Sequence, residues 1–158
     1  MKQLLGVALV IALVGCGKKP VEDKVSYVAD DDPGMKAAIE KARTTVSQFT
    51  AVLKAPKPTQ KGLSVKMAFA DGKNTEHMWL SNVTLDGTTF HGIVNNDPEH
   101  VKTVKIGDKA SIEVKKISDW MYIENKKLVG GYTLRALRDA MPPAERAEMD
   151  KSLPFTVD

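Results

Sequence analysis

The spacing of apolar residues changes once along this chain, and the change limits the folds that are open to it. Before Pro56 the apolar residues recur every three or four positions, which is the period of an α-helix with one buried face. This stripe consists of Met35, Ala38, Ile39, Ala42, Val46, Phe49 and Leu53. From Leu63 onward the spacing falls to two, which is the period of half-buried β-strands. A helix followed by several strands predicts an α+β domain.

The helix has clear boundaries in the sequence. Asp32 followed by Pro33 is typical of a helix start, because the carboxylate can accept a hydrogen bond from the first turn and proline suits that turn. Pro56 and Pro58 stop the periodic stretch. We therefore predict an amphipathic N-terminal helix from Pro33 to about Lys54.

An antiparallel, curled sheet of four or five strands is expected after this helix. Asp86 and Gly87 form a strong hairpin signal, and the strands on either side of it continue the alternation. The predicted strands lie near residues 63–69, 76–85, 88–94, 110–114 and 117–123, and the segment 101–106 is ambiguous.

The stretch after residue 117 joins the last strands to a short C-terminal helix. Trp120 and Tyr122 fall on one face of a strand, a polar turn follows at residues 124–127, and Leu128 and Val129 then resume the apolar pattern. Gly130 and Gly131 allow a backbone shape or a close chain approach that other residues resist. Thr133 is the expected cap of a helix that carries Leu134, Leu137 and Met141. After Pro142 and Pro143, residues 144–151 are expected to form one or two further helical turns.

Four separated motifs in this order resemble the YegJ-like family of bacterial proteins, domain of unknown function 2314. They are Glu76–Trp79, Gly92–Pro98, Asp119–Tyr122 and Gly130–Arg135. The resemblance covers about residues 32–153. It implies no activity and no catalytic residues that could be transferred to this chain.

Residues 1–15 are typical of a lipoprotein signal peptide. Lys2 precedes an uncharged apolar run from Leu4 to Val14, which is shorter than the roughly 20 residues of a spanning helix. Cys16 directly follows Leu-Val-Gly, which resembles a lipobox, in which the cysteine receives a diacylglyceryl group and becomes the new N-terminus. An uncleaved anchor or a coincidental cysteine is the alternative.

Lipidation at Cys16 would place the protein in the bacterial cell envelope, because two or three acyl chains together hold a protein stably on a membrane. Gly17, rather than aspartate, follows the cysteine. By resemblance to sorting in bacteria with two membranes, this favours the outer membrane, facing the periplasm, where the host has one. Residues 16–31 are polar and are predicted to be a flexible tether, and residues 32–158 a single domain.

The cysteine count and the charge exclude several classes of function. Cys16 is the only cysteine, so a lipidated chain has no thiol for a disulfide, a metal site or a nucleophile. The formal net charge of +3 falls to +2 when Lys2 leaves with the signal peptide. This balance is too close to neutral to indicate a nucleic-acid partner.

A metal site is not expected. His77 and His91 lie on strands either side of the Asp86-Gly87 turn, so they could come close in space, and Glu76 or Asp97 could add a carboxylate. However, Glu76 and His77 are neighbours in a strand and point to opposite faces. Surface or cross-strand histidines are the simpler interpretation, and no cofactor is expected.

Asp119, Trp120, Arg135 and Arg138 form the other candidate group. A carboxylate, an aromatic face and two guanidinium groups could hold an anionic or sugar-like ligand. The same residues could instead form a structural corner in which Asp119 caps a turn and Trp120 fills the core. The structural interpretation is the favoured one.

We therefore expect a non-catalytic binding module that contacts an envelope protein or polymer through the Trp79 and Trp120 region and the loop 95–100. An immunity or inhibitor protein is a special case of this hypothesis. The alternative is a hydrolase or other enzyme acting on envelope material, with Asp119, His77, His91 and Arg135 as its site. No serine lies in a nucleophile-elbow motif, and no glycine-rich phosphate loop opens a helix. A purely structural role leaves no mark in the sequence.

Overall fold

The structure is a computed structural model that describes residues 32–158. The predicted signal peptide, the tether and Cys16 lie outside the described residues, so those three statements stay predictions. The expected α+β architecture is confirmed, because one long helix precedes an antiparallel sheet and two short helices follow it.

The first helix, α1, spans Pro33–Lys54 as the apolar stripe predicts. Asp32 caps it, since its Oδ1 accepts a hydrogen bond of 2.9 Å from the Met35 amide. Its buried side chains are Met35, Ala38, Ala42 and Phe49, which recur at helical spacing. The helix therefore packs on the sheet by one face.

Six strands form the sheet, which is more than the four or five predicted. They are β1 (Gln60–Asp71), β2 (Asn74–Asp86), β3 (Thr89–Val94), β4 (Lys109–Glu113), β5 (Asp119–Glu124) and β6 (Lys127–Gly130). Their order is β4-β3-β2-β1-β5-β6 with every neighbouring pair antiparallel, so the sheet is open. The short β6 explains the difference, because four residues are too few for an alternating pattern. The ambiguous segment 101–106 contains no strand.

Trp120 is the centre of the core between α1 and the sheet. Its side chain has 0% exposure, and its ring centroid lies 5.7 Å from that of Phe49 and 6.2 Å from that of Tyr122. The ladder places Val65 opposite both Leu80 and Trp120, so all three side chains share the face that α1 covers. The predicted aromatic face of β5 is confirmed.

Gly130 and Gly131 turn the chain from β6 into the second helix, α2 (Tyr132–Ala140). Their φ angles are 72° and 62°, and a Cβ on Gly130 would clash with the Trp120 carbonyl oxygen. The two glycines therefore provide the close chain approach that the sequence predicted.

Two details predicted for α2 are wrong. Thr133 does not cap the helix, because Gly131 occupies the cap position and Thr133 is buried inside the first turn. Met141 lies beyond the last helical residue and ends the helix instead of extending its apolar face.

The third helix, α3 (Pro143–Ser152), is longer than the one or two turns expected, because Pro143 begins it. The chain then returns to the sheet, where Thr156 hydrogen-bonds with the backbone of Leu128 and Lys126. Within residues 32–158, no helix combines the length and the apolar character needed to cross a bilayer.

Candidate functional site

Three polar or aromatic side chains form a row across β2, β1 and β5. Lys66 lies opposite Trp79 on β2 and opposite Asp119 on β5. Because side chains alternate along a strand, this polar row (Lys66, Trp79 and Asp119) points away from the face that α1 covers. The exposed fractions are 2%, 4% and 0%. Buried lysine and aspartate residues are rare in proteins unless they are paired, so the burial of this row depends on the contacts that its side chains make.

The Lys66 ammonium lies between an aromatic face and a hydroxyl group. Its Nζ lies 5.1 Å from the centre of the Trp79 ring, in a cation–π contact. The same atom donates a hydrogen bond of 3.1 Å to Thr133 Oγ1. Lys66 therefore links the sheet to the first turn of α2.

Asp119 caps α2 from a distant part of the chain. Its two carboxylate oxygens accept hydrogen bonds from the amides of Trp120, Tyr132 and Thr133, and Oδ2 also accepts one of 2.7 Å from the Thr133 hydroxyl. Burial raises the pKa of this carboxyl, while the Lys66 charge and the hydrogen bonds from Thr133 and Trp120 act in the opposite direction. Its position thus explains why Thr133 is not needed as a cap.

His77 contacts a serine on the same side of the sheet. Its Nδ1 lies 2.6 Å from Ser118 Oγ, and Ser118 is buried. Burial, together with the smaller effects of the Lys66 and Arg43 charges, lowers the pKa of His77 from 6.5 to about 4. The imidazole is therefore neutral near pH 7. In the tautomer that carries its proton on Nε2, Nδ1 accepts a hydrogen bond from the Ser118 hydroxyl.

His91 lies apart from His77, so the expectation that they could meet across the hairpin is wrong. The register pairs His91 with Thr84, seven positions along β2 from His77. Its Nδ1 lies 2.7 Å from Ser111 Oγ at an exposed position. Among residues 32–158, no three His, Cys, Asp or Glu side chains are grouped so that they could hold a metal ion.

A second buried carboxylate fixes the loop after β3. Glu76 is 2% exposed and accepts hydrogen bonds from the amides of Glu99, His100 and Val101. Asn96 Oδ1 accepts a hydrogen bond of 2.6 Å from the Trp79 amide. We call residues 95–101 the clamped loop, because both of its ends are tied to β2.

The two tryptophans differ in their hydrogen bonds. Trp120 Nε1 donates a hydrogen bond of 3.0 Å to the Ala42 carbonyl oxygen in α1. Trp79 Nε1 is buried, and it is the one buried side-chain nitrogen or oxygen in the described part of the chain without a hydrogen-bond partner. Trp79, not Trp120, is therefore the tryptophan with a free polar group.

The two candidate arginines do not converge on Asp119. Arg135 donates hydrogen bonds to the carbonyl oxygens of Gly130, Leu128 and Asp158. Arg138 forms a bidentate pair with Asp150, at 2.7 and 2.8 Å, that joins α2 to α3. Both guanidinium groups thus hold the C-terminal part of the chain together.

An open groove of about 610 Å³ runs between the first half of α1 and α2. Its lining residues are Asp32, Pro33, Gly34, Ala38, Lys41, Tyr132, Arg135, Ala136, Asp139 and Ala140. Arg135 is the one sequence-predicted site residue among them. None of the three side chains of the polar row lines this groove, although Tyr132, which does, donates its amide to Asp119.

Sequence reasoning missed Lys66, Ser118 and the role of Glu76. The residue before Lys66 is apolar, so strand alternation marked the lysine as solvent-facing, and Ser118 lies 41 positions from His77. No short motif could have paired them. The signal that was available is the alternation itself, which puts Lys66 and Trp79 on one face if the β1–β2 register is known.

Comparisons with known proteins identify related chains. The family model described as an uncharacterized protein conserved in bacteria (DUF2314) matches residues 32–156. The chain is 33% identical over 153 residues to the uncharacterized protein YegJ of Escherichia coli (strain K12), covering 97% of this chain and 99% of that protein. It is also 33% identical over 134 residues to a putative ankyrin repeat protein of Neisseria meningitidis serogroup B, covering 80% of this chain and 53% of that protein. No solved structure matches the chain.

Proposed function

The chain belongs to the DUF2314 family of bacterial proteins, and we propose that it is an envelope lipoprotein whose folded domain is a non-catalytic binding module. The anchor is supported by Lys2, the apolar run after it and the Leu-Val-Gly sequence before Cys16. In a host with two membranes the protein is held on the outer membrane and faces the periplasm. Its partner is an envelope protein or polymer.

The anchor has a direct test. Intact-mass analysis of the protein purified from membranes should give the chain from Cys16 onward with added acyl mass, and a Cys16→Ser variant should lose that mass and leave the membrane fraction. A full-length, unacylated wild-type chain in the soluble cell interior would contradict the proposal.

The observation that carries the binding role is the clamped loop. Its exposed side chains include Asn95, Asp97 and His100, yet its backbone is fixed by the buried Glu76 carboxylate. Loops held on a rigid scaffold commonly carry binding residues, and fixing a loop beforehand lowers the entropic cost of association. We propose that this loop and the adjacent Trp79 region contact the partner.

Site-specific photocrosslinking tests this surface. A photoreactive amino acid at Asp97 should capture a reproducible partner from intact envelopes, whereas the same group at Asn125, in the exposed β5–β6 turn, should not. The substitution His100→Glu, which adds a negative charge to the exposed face of the clamped loop, should weaken the capture at Asp97. Repeated failure to capture any partner, with a protein shown to be folded, would count against the binding role.

The hydrolase alternative is favoured by one observation, the Ser118–His77 contact of 2.6 Å. A neutral imidazole beside a hydroxyl is the arrangement that activates a serine nucleophile. Ser118 is only 2% exposed, however, so a substrate could reach it only after a rearrangement. Labelling by a fluorophosphonate probe that is lost in Ser118→Ala would establish this alternative, and an unlabelled folded protein would remove it.

A further inference from the structure

The outer border of β4 is the sheet border that the described residues leave unpaired. The border at β6 is covered, because Thr156 forms a parallel bridge with Lys127 and hydrogen-bonds with the backbone on either side of it. Within residues 32–158, no strand pairs with the outer side of β4. Lys109 and Ser111 on this strand are exposed, so another chain can reach the border.

The register of β4 shows which of its backbone groups face outward. The Val94 amide donates to the Asp108 carbonyl oxygen at 2.9 Å, just before β4 begins. The Val114 amide makes a bond of the same length to the carbonyl oxygen of residue 88, just after β4 ends. Residues of an antiparallel strand alternate between bonding to the neighbouring strand and facing away from it. The outward amides and carbonyl oxygens therefore belong to the three odd-numbered residues, Lys109, Ser111 and Glu113.

This border lacks two of the devices that usually prevent strand addition. Its sequence, Lys-Ala-Ser-Ile-Glu, contains no proline. Its register with β3 runs without a bulge, whereas the pairings of β1 with β5 and of β2 with β3 each contain an irregularity. Sheets protect their borders with prolines, bulges and charged side chains, and β4 relies on the last of these.

The charge at this border is positive and selects the kind of strand that can add. Residues 101–116 contain five lysines and two acidic residues. Lys116 and Lys115 both pair with Glu113 and lower the pKa of its carboxyl, so two cations offset that one negative charge. Cross-strand neighbours of like charge repel and those of opposite charge attract. The lysines therefore disfavour a second copy of this chain and favour an acidic strand.

The border also lies beside the surface proposed to contact the partner. The clamped loop begins directly after Val94, whose amide bonds to Asp108 at the start of β4. A partner bound at the loop is thus already next to β4. Joining two contacts in one partner raises the effective concentration for the second, which compensates for a short strand.

Building on the proposed binding function, we propose that the border of β4 binds an extended acidic segment of the partner as an additional antiparallel strand. The backbone of this segment pairs with the outward groups of Lys109, Ser111 and Glu113, and its carboxylates lie near the lysines of residues 101–116. In this mode of recognition the backbone hydrogen bonds supply affinity and the side chains supply specificity.

Nuclear magnetic resonance of the full chain in uncharged detergent micelles tests this proposal. The probe is acetyl-Glu-Val-Glu-Val-Glu-amide, which has the length of β4, and acetyl-Lys-Val-Lys-Val-Lys-amide is the control of opposite charge. With the glutamate peptide we expect saturable downfield shifts of the outward amide protons of Lys109, Ser111 and Glu113. The inward amides of Ala110 and Ile112 should change little, and the lysine peptide should produce no saturable shift.

Two further measurements identify the backbone as the point of contact. Ser111→Pro removes an outward amide without taking a bond from the β3 side, a position in which border strands tolerate proline. Ser111→Ala is the matched control, because it loses the same hydroxyl and keeps the amide. The proline variant should bind the glutamate peptide about tenfold more weakly, as expected for one lost hydrogen bond, and the alanine variant should bind it as wild type does. A glutamate peptide that is N-methylated at every residue should not bind the wild-type chain.

Each other outcome overturns this inference. No saturable shift with the glutamate peptide would show that the border accepts no acidic strand, and equal shifts with the lysine peptide would show that charge does not select it. Binding of the N-methylated peptide, or unchanged binding by a folded Ser111→Pro variant, would remove the outward amides from the contact. The proposed function is judged separately, because a partner captured at Asp97 by a chain that binds no glutamate peptide retains the binding role while rejecting this border.

Discussion

Consecutive residues of β1 point to opposite faces of the sheet, and the two faces are stabilised by different interactions. Val65 lies under α1 among apolar and aromatic side chains, whereas Lys66 lies in the polar row with Trp79 and Asp119. Burial of apolar area, which stabilises the first face, depends weakly on pH and charge. The polar row depends on complete hydrogen bonding, because a buried polar group that loses its partner keeps the full cost of desolvation. The two faces should therefore respond differently to mutation and to acid.

The largest difference is expected from the carboxylate of the polar row. Asp119→Ala removes the acceptor of four hydrogen bonds and leaves Lys66 buried beside an uncapped helix. We expect the free energy of unfolding to fall by about 3–5 kcal/mol, the usual cost of breaking a buried charged network. Urea unfolding measures it. The exposed Asp97→Ala is the control and should have little effect; equal losses in the two variants would show that Asp119 does not support the fold.

The second difference is a response to acid. The pKa of His77 is lowered to about 4 in the folded protein from 6.5, so the unfolded chain binds the proton more readily. The contribution of His77 to the free energy of unfolding is therefore constant above pH 6.5. It falls by about 3 kcal/mol as the pH drops towards 4. Urea unfolding between pH 7 and 4 should show this slope. His77→Gln, which can still accept a bond from Ser118, should flatten it.

His91 provides the matched control for the acid response. It is exposed and its contact is with Ser111, so His91→Gln should leave the pH slope unchanged. A slope that persists in His77→Gln would instead assign the acid sensitivity to the carboxylates of the molecule.

The smallest expected difference in the free energy of unfolding is between variants of the two tryptophans. Trp120→Phe removes a satisfied hydrogen bond and part of a packed ring, and should cost about 1–3 kcal/mol. Trp79→Phe also removes volume but eliminates an unpaired donor, so its net effect should lie within about 1 kcal/mol of zero. Thermal and urea unfolding of both variants measure the difference. Equal losses would mean that the Trp79 N–H has an acceptor in the folded protein.

Local patterns predicted the elements of this fold well. The helical stripe of α1, the cap by Asp32 and the Asp86-Gly87 hairpin all depend on residues within a few positions of one another. Such features can be read from the sequence because their partners are neighbours. Only the number of strands was underestimated, because β6, around Leu128 and Val129, has four residues and too little alternation to be counted separately.

The candidate site depends on distant pairs, and these could not be predicted. Asp119 caps a helix whose first residue lies 13 positions later, across a turn that two glycines make possible. The separation of the two histidines is the exception, because the sequence itself contains it: His91 follows Gly87 by four residues, whereas His77 precedes Asp86 by nine, and the register pairs His91 with Thr84. The burial of Lys66 depends on the neighbours of β1 in the sheet, which its own strand does not reveal.

The two borders of the sheet differ in their openness to another chain. Thr156 hydrogen-bonds to the backbone beside β6 and closes that border, whereas within residues 32–158 no strand pairs with the outer side of β4. Open borders invite strands of other molecules to add on, and lysines placed there oppose this. Lys109 at the start of β4, with Lys115 and Lys116 just beyond its end, are exposed and fit that protective role. If the protein carries the lipid anchor proposed for it, copies on one membrane would therefore repel one another at this border instead of pairing their β4 strands.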